Sequence, residues 1–416
     1  MKPRHHVVVA LGHSWGRAHM AHAIAMQLST NGDRVTLLSN QTLAPQFSAA
    51  GVRTRMVRRD MGPLLGLYLD DVFAHDRPDA LVLCDYPSNA AVLRRNGLET
   101  TALLREGIPV SALDVWDTEL TGLEPDVFGG QRPQPAAAAW LEAPVRARKL
   151  RPVPILWPRT PGQGHFCYLP ESARCARADR RSTLTRLGIA AHDKIVLFCT
   201  AKWQHRDYPS GAGRGMAALI PRLVADYVDA AGRDVHLVHV GPRPFDLGEP
   251  LGQRYHWVAP VSTAEFDALL TSADVLLSAN IAASTVASAM VLEVPALILQ
   301  NAVTASTVEE AEAAIGTRLS DRLRCRLADE LPLYPFALWP IGFRGFLSPV
   351  LRGNPYADAL TVVEMLDEIG VASALSRLLR DAGARDEEIH RQSLYLKQIR
   401  SLPSVGELIT APTTRS

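Results

Sequence analysis

Residues 271–299 read TSADVLLSANIAASTVASAMVLEVPALIL. The stretch predicts a short helix end, a buried strand over Val275 to Ser278, a loop of small residues, a helix from about Ser284 to Leu292, and a second strand entered through Pro295. Asn280 to Thr285 carry almost no bulky side chains. A helix start with unbonded N–H groups and a Ser284–Thr285 pair is a ready anion site. In a parallel α/β sheet such a loop lies at the carboxyl end of a strand, where ligands bind, and a diphosphate fits the chemistry. Small residues at such a turn also serve close packing, and serine at a helix start also serves as a cap.

Outward from this line, the same alternation repeats. Upstream, Ile195 to Cys199 reads as a strand ending in the polar run Thr200 to Arg206. A helix follows through Met216 to Ala230, then a strand Val235 to Val240, a Gly241-Pro242 turn, a short strand Tyr255 to Val258 and a helix Ala264 to Leu270. The first half opens alike: strand Val7 to Leu11, loop Gly12 to Arg17, then a helix with Met20, Ile24 and Leu28 on one face. Asn31-Gly32-Asp33 makes a turn into strand Arg34 to Ser39, and Ala80 to Cys84 and Pro109 to Leu113 are later strands. Strands alternating with helices mean parallel sheets with right-handed crossovers.

A chain of 416 residues exceeds a single comfortable core. The expected fold is α/β, with two Rossmann-like doubly wound parallel-sheet domains facing across a cleft. The expected boundaries are 1–175, 176–370 and a C-terminal part 371–416, whose helices (Leu375, Leu378, Leu379, then Ile389, Leu394, Ile399) return to the first domain. Past Pro403 the tail reads as polar and frayed. Residues 120–150, rich in Pro, Gly and Ala, read as a loop or short helix over the cleft, and 160–185 as the linker. Tyr334 to Tyr356 gathers aromatics, Pro and Gly without a helical period, and reads as a lid, a binding segment or interdomain packing.

Lys+Arg of 44 against Asp+Glu of 43 gives a net charge of +1, which offers no field for nucleic acid or acidic membranes. Five scattered cysteines without a CxxC pair support neither a zinc site nor a disulfide framework. The amino terminus runs straight into a strand too short for a secretory segment or a membrane span, so a cytoplasmic protein is expected. His236 and His239 lie three apart on one strand, hence on opposite faces, and are not a metal pair.

The opening loop separates nucleotide classes. Its glycines, Gly12 and Gly16, are four apart, and the second strand ends Leu38-Ser39-Asn40 without a carboxylate, so a nicotinamide dinucleotide site is not expected. No GxxxxGK[ST] and no DxD flanked by apolar residues occurs. With these exclusions in place, the chain resembles the GT-B glycosyltransferases, nearest the bacterial natural-product and lipid-intermediate transferases. Residues 7 to 39 resemble that group's opening of strand, glycine-rich loop, amphipathic helix and second strand. Residues 261 to 300 resemble its donor-site signature, and Val238 to Pro242 its second donor-domain strand.

There are departures from the family pattern. Where it has His-Gly-Gly-x-Gly-Thr, this chain has Asn280-Ile-Ala-Ala-Ser-Thr285. The helix carboxylate that grips ribose falls on Ser288, the later glycine on Glu293, and the histidine of the opening loop on Arg17.

The resemblance implies a glycosyltransferase moving a sugar from a nucleoside-diphosphate sugar to a small-molecule or peptide acceptor, inverting and metal-independent, in bacterial specialised metabolism. No cofactor beyond that co-substrate is implied, and neither nucleic acid nor a membrane span. A nucleotide-sugar epimerase or pseudo-glycosyltransferase, or a non-catalytic partner subunit on this scaffold, are the alternatives the departures raise. The implied catalytic residues are His13, as base, with Asp114 to orient it and His19 beside it; Asp117 and Asp85 are further strand-end acids. The implied donor-binding residues are Thr200, Lys202 and Arg206 after the first strand of the second domain, and Asn280, Ser284, Thr285 and Ser288.

Overall fold

The computed structural model describes residues 3–12, 15–41, 44, 52–58, 60–122, 124–129, 147–159, 163–170, 180–205, 211–247 and 250–411. The chain divides into two compact units: Met1–Glu124, Gln134–Pro170 and Ile399–Ser416 form the first, and Pro125–Pro133 with Glu171–Gln398 the second. The change of unit at Pro170 falls close to the expected boundary at 175. Residues 371–398 belong to the second unit, whereas the expectation set them apart with the tail.

The first unit is built on seven strands: β1 (His5–Ala10), β2 (Arg34–Asn40), β3 (Arg53–Val57), β4 (Ala80–Leu83), β5 (Val110–Leu113), β6 (Arg148–Val153) and β7 (His165–Cys167). Their order is β3-β2-β1-β4-β5-β6-β7 and every pairing is parallel. Val7, Val8, Val9 and Leu81–Leu83 are sealed because helices cover a doubly wound sheet on both faces. On the first helix, Trp15–Thr30, Ile24 and Leu28 are fully buried, as the spacing predicts.

Two strands escaped the sequence pattern because they carry charge. β3 (RTRMV) sends Arg53 and Arg55 to the buried Asp76 at 2.7 and 3.5 Å. β6 (RKLRPV) buries Arg151 against Asp117 at 3.2 Å and Glu119 at 2.6 Å. The tail also corrects the expectation of fraying. Val405–Thr410 is a helix opened by a reciprocal capping box between Ser404 and Glu407. Val405 is buried, and Arg148 of β6 donates to the carbonyls of Leu408 and Ala411.

The second unit holds β8 (Lys194–Cys199), β9 (Val235–Val240), β10 (Tyr255–Val258), β11 (Val275–Ser278), β12 (Ala296–Gln300), a hairpin of β13 (Phe336–Leu338) and β14 (Gly342–Phe343), and β15 (Thr361–Glu364). Its parallel sheet runs β10-β9-β8-β11-β12-β15. In the unit's own chain order this is 3-2-1-4-5-6, the dinucleotide-fold arrangement with its reversal between β8 and β11. The core joins Val196, Phe198 and Leu297 to Met216, Leu219, Ile220 and Leu223 of helix Gly211–Ala231 and to Val371, Leu375 and Leu379 of helix Glu368–Arg380.

Tyr334 to Tyr356 is core rather than lid. Trp339 is sealed, with its indole Nε1 donating to the Met216 carbonyl at 2.7 Å, and the buried Tyr356 hydroxyl donates to Ile281 O at 2.6 Å. The absence of a helical period reflects a hairpin followed by two short helices, Arg344–Leu351 and Pro355–Asp358. Asp126 caps the first of these helices, accepting from Gly345 N at 2.9 Å and Phe346 N at 2.8 Å. That contact ties 125–129, expected with the first domain, into the second unit. Most of the remaining Pro- and Ala-rich run lies outside the described residues, as do 160–162 and 171–179 of the expected linker, but 165–167 within that linker form β7 of the first sheet.

Candidate functional site

In the second unit the strand order reverses between β8 and β11, so the loops leaving their carboxyl ends diverge and leave a crevice. The register pairs Leu277 with Phe198, which brings the start of the Ala279 loop beside Thr200. The opening stretch of sequence therefore lands where the motif reading placed it. β11 has the expected bounds and the helix spans Ser284–Val291.

The glycine-poor loop keeps its shape by bracing. Ile281 N donates to Ala337 O at 3.2 Å and Trp339 N to Ala279 O at 2.9 Å, so the β13 edge holds the loop from behind. Asn280 closes it from within: its Oδ1 accepts from Ala282 N at 3.0 Å and its carbonyl from Ala283 N at 3.2 Å. Asn280 thus shapes the loop.

The helix N-cap is Ala283, which supplies no side-chain cap. The N–H groups of Ser284 and Thr285, like the half-buried hydroxyls of Ser284, Thr285 and Ser288, meet no partner among the described residues. Free first-turn N–H groups, two hydroxyls and the positive helix end together make an anion seat. Glu293, where the family pattern has glycine, takes the glycine-like left-handed conformation with φ +58°.

At the end of β8, Lys202 is exposed and makes no ion pair among the described residues, and Arg206 lies outside them. Thr200 is not free: its hydroxyl lies 2.7 Å from both His205 Nε2 and His239 Nε2. Phe245 stacks on both rings, at 4.7 Å from His205 and 4.4 Å from His239. Burial, with lesser charge effects, pulls the imidazole of His205 down to about 4 and that of His239 to about 3. Arg243 donates to His205 O at 2.8 Å.

In the first unit the reversal falls between β1 and β4. His13 lies outside the described residues. Gly12 approaches Ser88 and Asp85 so closely that a Cβ would sit 2.7 Å from Asp85 Oδ2, and Asn40 Nδ2 donates to the Gly12 carbonyl at 2.5 Å. His19 sits on the first helix with its ring edge-on to Tyr168 at 6.4 Å.

Asp114 is buried, and its carboxylate accepts from Thr118 N at 2.9 Å and Thr118 Oγ1 at 3.0 Å, which holds the turn into helix Thr118–Thr121. Asp85, only 5% exposed, makes no side-chain hydrogen bond among the described residues. Arg17 is half-buried with its guanidinium 5.6 Å over Trp116 and no ion pair among the described residues. Burial lowers its pKa against the opposing charges of Asp85 and others. The sequence ranked Asp85 behind Asp114, because a strand-end acid does not announce whether its own turn will consume it. Nothing in the sequence pointed to Tyr255 or joined His239 to Thr200, since those links come from pairing between β8, β9 and β10.

Two parallel-sheet α/β units of this order and connectivity define a GT-B fold, and solved structures agree. Arabidopsis thaliana UGT89C1 complexed with quercetin is 12% identical over 98% of each chain, with a TM-score of 0.54. Anabaena Alr3699/HepE, in complex with UDP and glucose, is 10% identical over 98% of this chain and 97% of its own, at 0.56. The glycotransferase of kitacinnamycin is 14% identical over 98% of each chain, at 0.53. The chain belongs to DUF6365, a family of unknown function whose model matches residues 24–416. No curated protein matches the sequence. Among the described residues no helix is long and apolar enough to cross a membrane, and no group of three His, Cys, Asp or Glu is placed to hold a metal ion.

Proposed function

We propose that the protein is a glycosyltransferase that takes a sugar from a nucleoside-diphosphate sugar and passes it, with inversion, to a small-molecule or peptide hydroxyl, in bacterial specialised metabolism in the cytoplasm. The observation that carries this reading is the uncapped start of helix Ser284–Val291 at the β8/β11 reversal, with Ser284 and Thr285 hydroxyls that meet no partner among the described residues. Thr285 is also the one residue of the family's donor loop that this chain retains.

The chemistry is a single displacement. The acceptor oxygen loses its proton to a base of the first unit as it attacks the anomeric carbon, and the bond from that carbon to the diphosphate oxygen breaks. Asp85 is the described residue best suited to receive the proton, since its buried carboxylate makes no hydrogen bond among the described residues, whereas Asp114 is committed to Thr118. The departing diphosphate gains charge, which the Ser284 and Thr285 N–H groups and Lys202 stabilise. Ser288 faces the ribose position without the usual carboxylate, so grip on the ribose hydroxyls is weaker.

Thermal unfolding of the full chain with UDP, dTDP, GDP, CDP and ADP tests this. A ligand at a hundred times its dissociation constant stabilises by about 2.7 kcal/mol, a readily measured rise in Tm. A rise with one diphosphate, abolished in Thr285→Val, is the expected result. No rise with any of the five sinks the donor site and with it the transferase.

A further inference from the structure

Behind the β8 end lies a chain of hydrogen bonds whose direction is fixed at one end. The Phe245 N–H donates to the Tyr255 hydroxyl oxygen at 3.0 Å. The hydroxyl's own proton has one acceptor among the described residues, His239 Nδ1 at 2.9 Å. His239, fully buried and neutral, must then carry its proton on Nε2 and donate it to Thr200 Oγ1. Thr200 has a single proton, and it goes on to His205 Nε2. His205 is left with its proton on Nδ1, which meets no protein acceptor among the described residues. Each link runs the way that leaves no buried proton without an acceptor.

The surroundings are built for this chain. A Cβ at position 241 would collide with both Thr200 Oγ1 and His239 Nε2, so Gly241 makes room for the central bond. Phe245 covers both imidazoles, and Trp339 packs on Phe245 at 6.2 Å, which shields the links from water. His205 stands on the turn Lys202–His205 directly after β8, at the carboxyl end of the sheet where the order reverses.

We propose that Tyr255, acting through His239 and Thr200, fixes His205 in its Nδ1–H form, so that His205 and not Thr200 donates a hydrogen bond to the diphosphate of the sugar donor. The ligand half of this statement rests on the transferase reading, while the tautomer does not depend on it. Tyr255 is thus a positioning residue, three hydrogen bonds from His205 and four from the ligand. Without its proton, His239 is free to hold a proton on Nδ1, Thr200 reverses, and His205 turns a bare lone pair toward the phosphate oxygens.

The test uses the full-length chain labelled with nitrogen-15. Long-range proton–nitrogen spectra of the histidine side chains, assigned by loss of one set in His205→Gln, report which ring nitrogen of His205 is protonated. Wild type is expected to show Nδ1–H, Tyr255→Phe the reversed Nε2–H form, and Thr200→Val a mixture. Calorimetric titration with UDP is expected to show roughly tenfold weaker binding in both variants, the value of one charge-assisted hydrogen bond.

An Nε2–H form in wild type, or no reversal in a folded Tyr255→Phe, overturns the proposal. Equal UDP affinity in all three proteins overturns the contact with phosphate. If wild type shows Nδ1–H and Tyr255→Phe reverses it, yet UDP binds to none, the failure lies in the donor reading, and the ligand half falls with it.

Discussion

Asp85 and Asp114 end neighbouring strands of the first unit, yet their carboxylates are used differently. Thr118 occupies Asp114 through its N–H and its hydroxyl, while the buried Asp85 carboxylate makes no hydrogen bond among the described residues. Asp85→Asn is therefore expected to lower kcat by at least about a hundredfold, the usual value of a general base, with nucleotide affinity unchanged. Asp114→Asn is expected to act through the turn instead, costing about 1–2 kcal/mol of stability. Steady-state kinetics beside thermal melts separate the two, and equal kcat losses would count against Asp85.

His239 and His205 make a second prediction at this scale. Burial holds both imidazoles below their unfolded value of ~6.5, at about 3 and about 4. The unfolded chain therefore binds more protons than the folded one across that window, so stability present above pH ~6.5 is lost as pH falls toward 4. Each ring contributes a slope approaching about 1.4 kcal/mol per pH unit. Melts of His239→Gln should start lower at neutral pH and fall less steeply on acidification. A slope equal to that of wild type would show that His239 is not the group that titrates.

At the level of elements, the sequence was legible where strands are sealed on both faces. Val275–Ser278 and Val235–Val240 have the bounds the apolar runs predict, and Ile24 and Leu28 face inward as their spacing requires. β3 and β6 were not legible, because arginines on them are neutralised by Asp76, Asp117 and Glu119 from distant segments. The donor loop was legible as a strand–loop–helix, but not its support from Ala337 and Trp339, which follows a hairpin with no periodic signal. Glu293 marks another limit: the left-handed turn that glycine favours persists without glycine. The S-x-x-E spacing at Ser404 carries the capping box that the reading of a polar, frayed tail left out. Ser404→Ala is expected to cost about 1 kcal/mol, read as a lower Tm. An unchanged melt would return the tail to the frayed state that composition suggests.

For the whole molecule, chain order and unit membership disagree in two places, and both bear on stability. Residues 125–129 leave the first half to cap helix Arg344–Leu351 of the second unit, and 399–411 return to the first unit after the second is complete. The returning helix buries Val405 and takes two donors from Arg148 of β6, so the first unit is finished only when the last residues are made. Burial of one such side chain contributes about 1.5–3 kcal/mol, and each lost hydrogen bond about 1 kcal/mol more. A chain ending at residue 403 is therefore expected to lose several kcal/mol from the first unit alone. Hydrogen exchange read by mass spectrometry should show faster exchange in β6 and in helix Trp15–Thr30, with β8, β9, β11 and β12 unchanged. The same shortened chain should still bind UDP with the wild-type constant, because every residue assigned to the diphosphate lies in the second unit. Faster exchange in both sheets, or loss of UDP affinity, would mean that the tail serves the second unit as well and that the two are not independent in stability.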